Sequence, residues 1–369
     1  MKKVLFLCIL PAVIAAAGFI TTAEPGKEKK KTPGEAMFYQ KLGNKTAACG
    51  LCPRRCMIPE GKRGFCRNRE NRGGTLYSLT YGKPCTMGLE PIEKAPLYHF
   101  NPGHTRFVIA AAGCNLRCKY CQNWSISQKA VEEVPYQPAS PEEVVALALK
   151  EKAYSICFTF TEPISYYEYM YDIAKLAREK GLKTAVVSNG YINPEPLKKL
   201  LTVIDAIKID LKGFTEKFYN ETCSAELEPV KKTIKLVKQR GKWLEIVNLI
   251  IPTLNDDPED IKKMCEWIKK EAGPDVPVHF TRFGPAYLLT GIPPTPIKTL
   301  ERAYDIAKKA GLNYVYVGNV PGHRHNSTSC PKCGKVVIKR IQFMVMENNV
   351  KKGKCGFCGA PISMWREKK

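Results

Sequence analysis

Eleven of the sixteen cysteines in this 369-residue chain fall into three groups with metal-ligand spacing. The central group, Cys114-Asn115-Leu116-Arg117-Cys118-Lys119-Tyr120-Cys121, puts three thiols on one short loop. Thiolates at Cys114, Cys118 and Cys121 can hold three corners of an iron–sulfur cubane and leave its fourth iron open for chemistry. A zinc knuckle would need a fourth Cys or His at short range, and the nearest histidines are His99 and His104, upstream. In the tail, Cys330-Pro331-Lys332-Cys333 and Cys355-Gly356-Phe357-Cys358 form the two knuckles of a zinc ribbon, a closed site whose role is structural. Cys49, Cys52, Cys56 and Cys66 offer four more thiolates; their spacing decides neither for zinc nor for an auxiliary [4Fe–4S] cluster, and zinc is the first reading. Cys85 stands alone without an assigned role, and Cys8, Cys157, Cys223 and Cys265 read as small buried hydrophobes.

The elements that must position these groups follow from alternation and punctuation. Strand candidates run over Phe107 to Ala112, Ser155 to Thr161, Thr184 to Ser188, Ala206 to Leu211, Leu244 to Ile251, Val278 to Phe283 and Tyr314 to Gly318. Helix starts are marked between them by Ser140-Pro141, Asn193-Pro194, Asp257-Pro258 and Thr295-Pro296, and helix ends by Gly181, Gly241, Gly273 and Gly311. Repeated βα units with nearly continuous apolar strands predict an α/β fold, a partial or near-complete parallel (β/α) barrel, with a doubly wound open sheet as the alternative. The central cysteines follow the first strand directly, at the end where parallel barrels place their active sites. Thr161-Glu162-Pro163, Ser188-Asn189-Gly190 and Asp210-Leu211-Lys212 stand at the ends of the next three. His279 alternates towards the barrel interior, either as a ligand contact or as a core histidine with a backbone partner.

With 44% apolar and 25% charged residues, the chain is neither disordered nor a polytopic membrane protein. The expected organisation is an apolar anchor or signal segment over 1–23, a linker over 24–48, a Cys-rich extension over 49–105, the barrel core over 106–320 and a ribbon tail over 321–369. Val4 to Ile20 carries no charge; Lys2 and Lys3 precede it, and Lys27, Lys29, Lys30 and Lys31 follow. That bias favours an uncleaved membrane anchor with the body on the cytoplasmic side, and export after cleavage near Thr21-Thr22-Ala23 is the alternative. The net charge of +23 would suit a polyanion, yet no aromatics interleave with the basic residues to stack on bases. A zinc and iron–sulfur protein that binds nucleic acid is therefore the lesser rival to an enzyme.

Cys-x3-Cys-x-aromatic-Cys, with Tyr120 as the aromatic, resembles the radical S-adenosylmethionine (SAM) superfamily. Further segments resemble its activating-enzyme branch, related to the pyruvate formate-lyase activators, and in particular the AmmeMemoRadiSam-system radical SAM enzymes. They are the Cys49 to Cys66 group, Pro91-Ile92-Glu93-Lys94, Pro96-Leu97-Tyr98-His99-Phe100, Gly113-Cys114-Asn115, Cys121-Gln122-Asn123-Trp124 and Tyr316-Val317-Gly318-Asn319-Val320-Pro321-Gly322. The resemblance implies a [4Fe–4S] cluster on Cys114, Cys118 and Cys121 that binds SAM and cleaves it reductively to a 5′-deoxyadenosyl radical. That radical would abstract hydrogen from an unidentified small molecule or protein, with an electron donor such as flavodoxin or ferredoxin. Activation of a glycyl-radical enzyme is the alternative within the class. The resemblance also implies SAM contacts from Tyr120, Glu162, Ser188, Asn189, Asp210, Lys212 and His279, with Glu162 receiving the amino group, Lys212 the carboxylate and Asn189 the ribose. Two positions depart from the pattern: Val187 replaces the acid before Asn-Gly, and Phe160-Thr161 replaces the two glycines before Glu162.

Overall fold

The computed structural model describes residues 34–367. The apolar run from Val4 to Ile20 and the lysines after it lie outside the described residues. Among the described residues no helix is long and apolar enough to cross a membrane.

One sheet organises the chain. Its strands are β1 (Pro84–Pro91), β2 (Thr105–Ala111), β3 (Ser155–Phe158), β4 (Lys183–Ser188), β5 (Ala206–Asp210), β6 (Trp243–Ile250), β7 (Val278–Arg282) and β8 (Val315–Gly318). They lie side by side in chain order, β2 to β8 parallel and β1 antiparallel to β2. A doubly wound sheet reverses its order at a switch point, and this one never does, so the architecture is the singly wound barrel. Its outer strands β1 and β8 are not paired with each other, which leaves the barrel open. All seven expected strands form, and β1, inside the Cys-rich segment, adds an eighth. β3 stops at Phe158 because Thr159-Phe160-Thr161 turns away, with Phe160 at φ 65°.

Each parallel crossover carries a helix: α1 (Pro141–Lys150), α2 (Tyr167–Glu179), α3 (Pro194–Leu200), α4 (Leu227–Gln239), α5 (Pro258–Ala272) and α6 (Ile297–Lys309). The expected start of α1 is a capping box: Ser140 Oγ accepts from Glu143 N at 3.2 Å while the Glu143 carboxylate accepts from Ser140 N at 2.7 Å. Asp257 Oδ1 caps α5 in the same spirit, accepting from Glu259 N and Asp260 N. Thr295 departs from the expected cap. α6 begins at Ile297, and the buried Thr295 hydroxyl donates to Ile250 O at 2.6 Å and accepts from Phe283 N at 3.0 Å, joining the ends of β6 and β7 instead. Val144, Val145 and Ala148 of α1 and Ile173, Ala174 and Ala177 of α2 are buried in the main core with Phe107, Ile156 and Phe158 of the strands.

Two appendages are fastened to this frame by buried charge. Before the sheet, Tyr39–Lys41, Ala47–Cys49 and Met57–Ile58 form a small antiparallel sheet, and Arg69–Arg72 pairs with Thr75–Ser78. From that hairpin Arg69 reaches Glu168 of α2 and donates to Met37 O at 2.9 Å. After the sheet, Thr328–Ser329, Val336–Ile341 and Met344–Asn348 form the antiparallel sheet of the tail. Its Arg340 is fully buried: Nη1 donates to Thr328 Oγ1 and Nη2 to Tyr98 O, both at 2.7 Å, and Nε lies 3.5 Å from Glu93 Oε1. Glu93 also accepts from Gly103 N at 2.9 Å, and burial raises its carboxyl pKa. Replacing Arg340 by Met strands a buried carboxyl, so urea unfolding is expected to show a loss of about 3–5 kcal/mol. Adding Glu93→Gln should return part of that loss, because the stranded charge is then gone.

Candidate active site

The sheet's carboxyl edge gathers the residues singled out above. Leaving β2, the chain passes Gly113 at φ 93°, where a Cβ would lie 2.7 Å from Cys66 O and 2.5 Å from Asn68 Nδ2, so only glycine fits. The loop then presents Cys114, Cys118 and Cys121 to a cavity of about 600 Å³. Leu116 N donates to Cys114 Sγ at 3.3 Å, and Ser127 Oγ lies 3.2 Å from Cys121 Sγ. The three sulfurs of this loop do not all lie within 4.8 Å of one another, a separation wider than a mononuclear site permits.

Glu162, after β3, is buried and lines the same cavity. Its Oε1 accepts from Ser188 Oγ at 2.8 Å and Ile164 N at 3.1 Å, and its Oε2 from Asn189 N at 2.8 Å. Burial pushes its carboxyl up to about 7, against the pull of those donors and of Lys212. Phe160 holds the left-handed backbone conformation that suits glycine, so this turn keeps a glycine-like shape without one. Asn189 has its side chain committed: Nδ2 donates to Asn115 Oδ1 at 2.9 Å, and Oδ1 accepts from Tyr191 N at 2.8 Å.

At the end of β5, Asp210 sits between Lys208 and Lys212. It pairs with Lys208, and Lys212 Nζ lies 3.4 Å from Asp210 Oδ2. Burial opposes ionisation of all three. It wins at Lys208, whose pKa is lowered; Asp210 outweighs it at Lys212, held well above the usual lysine range; the two lysines hold the Asp210 carboxyl low. Lys212 Nζ lies 6.0 Å from the centre of the Tyr120 ring. His279 is near the start of β7, so it lines the opposite end of the cavity from the cysteines. Its Nε2 is 2.9 Å from Glu245 Oε2, a carboxylate partner where a backbone one was the alternative, and burial lowers its pKa.

The structure thus brings Cys114, Cys118, Cys121, Glu162, Ser188, Asn189, Asp210 and Lys212 to one cavity edge and puts His279 on its floor. Sequence reading missed Asn115, which ties the cysteine loop to Asn189 and donates to Tyr191 O at 2.8 Å. It also missed Lys208, although the two-residue step to Asp210 and Lys212 put all three on one strand face. Cys223, read as a buried hydrophobe, has its sulfur 3.6 Å from Tyr120 Oη. Gln128 Oε1 is buried on the wall of the same cavity with no hydrogen-bond partner. Three sulfurs not all within 4.8 Å of one another, a free buried acceptor and opposed carboxylate and ammonium groups fit an iron–sulfur cluster with a zwitterionic ligand.

In the tail the geometry is different. Cys330, Cys333, Cys355 and Cys358 have all four sulfurs within 4.8 Å of one another, with Cys330–Cys358 at 3.7 Å and Cys333–Cys355 at 3.8 Å. Thiolates about 2.3 Å from a tetrahedral zinc stand roughly 3.8 Å apart, so this four-cysteine group fits a zinc ribbon.

A singly wound barrel with three cysteines after its first parallel strand defines a class, and comparison with known proteins agrees with it. Residues 108–268 match the model of the Radical SAM superfamily. The chain is 47% identical over 332 residues to the uncharacterized protein MJ0808 of Methanocaldococcus jannaschii, covering 89% of this chain and 99% of that one. The chain belongs to the radical SAM superfamily and is an enzyme; membership implies SAM and a [4Fe–4S] cluster as its cofactors. It is homologous to activating enzymes, with 28% identity to the pyruvate formate-lyase-activating enzyme of Clostridium pasteurianum over 173 residues, 44% of this chain and 69% of that one. Among solved structures, a radical SAM methyltransferase from Sphaerobacter thermophilus matches with a TM-score of 0.46 and 13% identity, over 59% of this chain and 67% of that one.

The raised Glu162 pKa fixes a sign for stability. Between the ordinary value of 4.5 and about 7, the folded protein holds a proton there that the unfolded chain has released, so stability falls as pH rises through that window. In Glu162→Gln the slope is expected to flatten. Wild type minus variant, measured by urea unfolding, should decline by on the order of 3 kcal/mol across the window.

Proposed function

We propose that the chain cleaves SAM at a [4Fe–4S] cluster held by Cys114, Cys118 and Cys121 and directs the radical at a substrate on the cavity floor. The single observation that carries this reading is the meeting of those three thiols with Glu162 and Lys212 around one cavity. When bound, the cluster supplies the electron that breaks SAM into methionine and a 5′-deoxyadenosyl radical.

The protein's own part is orientation and charge. Glu162, already held by Ser188 and by Asn189 N, keeps acceptor capacity for an ammonium group, and a cation there would offset the burial that raises its pKa. Lys212 remains a cation within the barrel and is only loosely engaged by Asp210, so it is free to meet a carboxylate; Tyr120 lies beneath it. Asp210 is shared between the two lysines, paired closely with Lys208 and 3.4 Å from Lys212 Nζ. Asn189 keeps the cysteine loop fixed through Asn115 and faces the cavity where the SAM ribose would lie. His279, which lines the cavity as Arg106 and Lys208 also do, faces the substrate end.

Glycyl-radical activation is the second reading, favoured by the identity to the Clostridium enzyme. That likeness covers the core that handles SAM, which leaves the substrate open. A small flavoprotein or ferredoxin is the electron donor this chemistry calls for, and zinc is the ion we assign to the tail quartet.

Replacing Cys114, Cys118 or Cys121 by Ala is expected to abolish 5′-deoxyadenosine formation in an anaerobic assay while circular dichroism stays near wild type. Parental SAM cleavage in all three variants would remove the central claim. Cys330→Ser should release about one zinc per chain and lower the unfolding midpoint, since a closed four-thiolate site contributes folding free energy. Purified wild type with no zinc attributable to the tail would contradict that assignment.

A further inference from the structure

The cysteines before the sheet form a site of their own. Cys49, Cys52, Cys56 and Cys66 line one cavity of about 20 Å³, closed by Leu51, Ile58, Phe65 and Ile164 and flanked by Arg54 and Arg69. Phe65 N donates to Cys56 Sγ at 3.4 Å, and Arg69 Nη1 lies 3.9 Å from Cys49 Sγ. Arg69 is buried, and its Nε has no hydrogen-bond partner. A four-thiolate centre is net negative whichever metal it holds, and these guanidinium groups oppose that charge.

Sulfur separation distinguishes the two metals. In the tail quartet the sulfurs converge to zinc-like distances. In the quartet before the sheet no three ligating atoms lie within 4.8 Å of one another, although all four side chains face the same small cavity. The central triad shows the same spread. A mononuclear site puts only one ion between its sulfurs, whereas a cubane interposes its own iron and sulfide atoms and holds the thiolates apart. We propose that Cys49, Cys52, Cys56 and Cys66 ligate a second [4Fe–4S] cluster, not zinc.

The proposed cluster backs directly onto the central loop. Arg54 Nε donates to Asn115 O at 3.1 Å, Arg117 donates to Phe65 O, and both guanidinium groups stack on the Phe65 ring at 3.9 and 4.0 Å. Asn115 is part of this cavity's wall, while its neighbours Cys114 and Leu116 line the large one. A single turn of chain therefore separates the two centres.

The inference does not rest on the activity proposed above, and metal analysis tests it without that activity. The chain carrying Cys114→Ala, Cys118→Ala and Cys121→Ala together is reconstituted anaerobically with iron, sulfide and zinc, then desalted. The expected result is about four iron and four sulfide per chain, with an EPR signal after dithionite reduction that added SAM leaves unchanged. That iron should be lost when Cys49→Ser and Cys56→Ser are added. Iron-free protein with two zinc ions, or iron that survives the added serines, overturns the proposal. If the triple variant does not fold, the wild-type chain decides: about eight iron and one zinc support a second cluster, and about four iron and two zinc refute it.

Discussion

A carboxylate shut away from water has to be satisfied by what surrounds it, and Glu162 is satisfied by three donors from two places. Ile164 N comes from its own turn, Ser188 Oγ from the end of β4, and Asn189 N from the residue after it. Asn189 passes the constraint on through its side chain to Asn115, within the cysteine loop after β2. Three successive strand ends are thus locked to one another through one acid. Because the remaining capacity of that acid faces the cavity, the interaction that sets the geometry also sets what the cavity can bind.

The parallel order of β2 to β8 makes such a constraint available, since it delivers every strand's carboxyl end to one edge. The appendages are held by a different device. Arg69 with Glu168, and Arg340 with Glu93, are ion pairs in which both partners are buried. Such pairs add little net stability over apolar contacts of the same size, but each partner is costly to leave alone. They therefore specify where the Cys-rich segment and the tail dock more than how tightly.

Much of this was legible from residue order. Ser140-Pro141-Glu142-Glu143 identified both a helix start and its capping box, and the cysteines at 114, 118 and 121 identified the loop and the edge of the sheet. What escaped depends on tertiary partners. Thr295 looks like a cap in sequence but finds two backbone partners across β6 and β7, which outweigh a helix end. Asn115 stood in a motif, but its role was invisible because it depends on Asn189, distant in the chain. β1 escaped because Pro84 to Pro91, with proline at both ends and Gly88 within, lacks the apolar run of a buried strand; as an antiparallel edge it needs none.

The tail has a consequence beyond its own four-cysteine group. Through Arg340 it grips Glu93 and the Tyr98 carbonyl, and Tyr98 in turn packs edge-on against His279 with ring centres 4.8 Å apart. Asn326, Gln342 and Phe343 of the tail then complete the wall of the large cavity, which Glu90, Lys94 and Arg106 also line. The cysteine edge is built wholly by the barrel, whereas the remaining wall is shared with an appendage more than two hundred residues further along the chain. The first surface lies within the residues that match the superfamily, 108–268, whereas the tail residues of the second lie outside that match. The ribbon is therefore part of the cavity's enclosure, and its four convergent cysteines suit that task, because a tetrahedral ion bound there would fix a short, weakly cored segment.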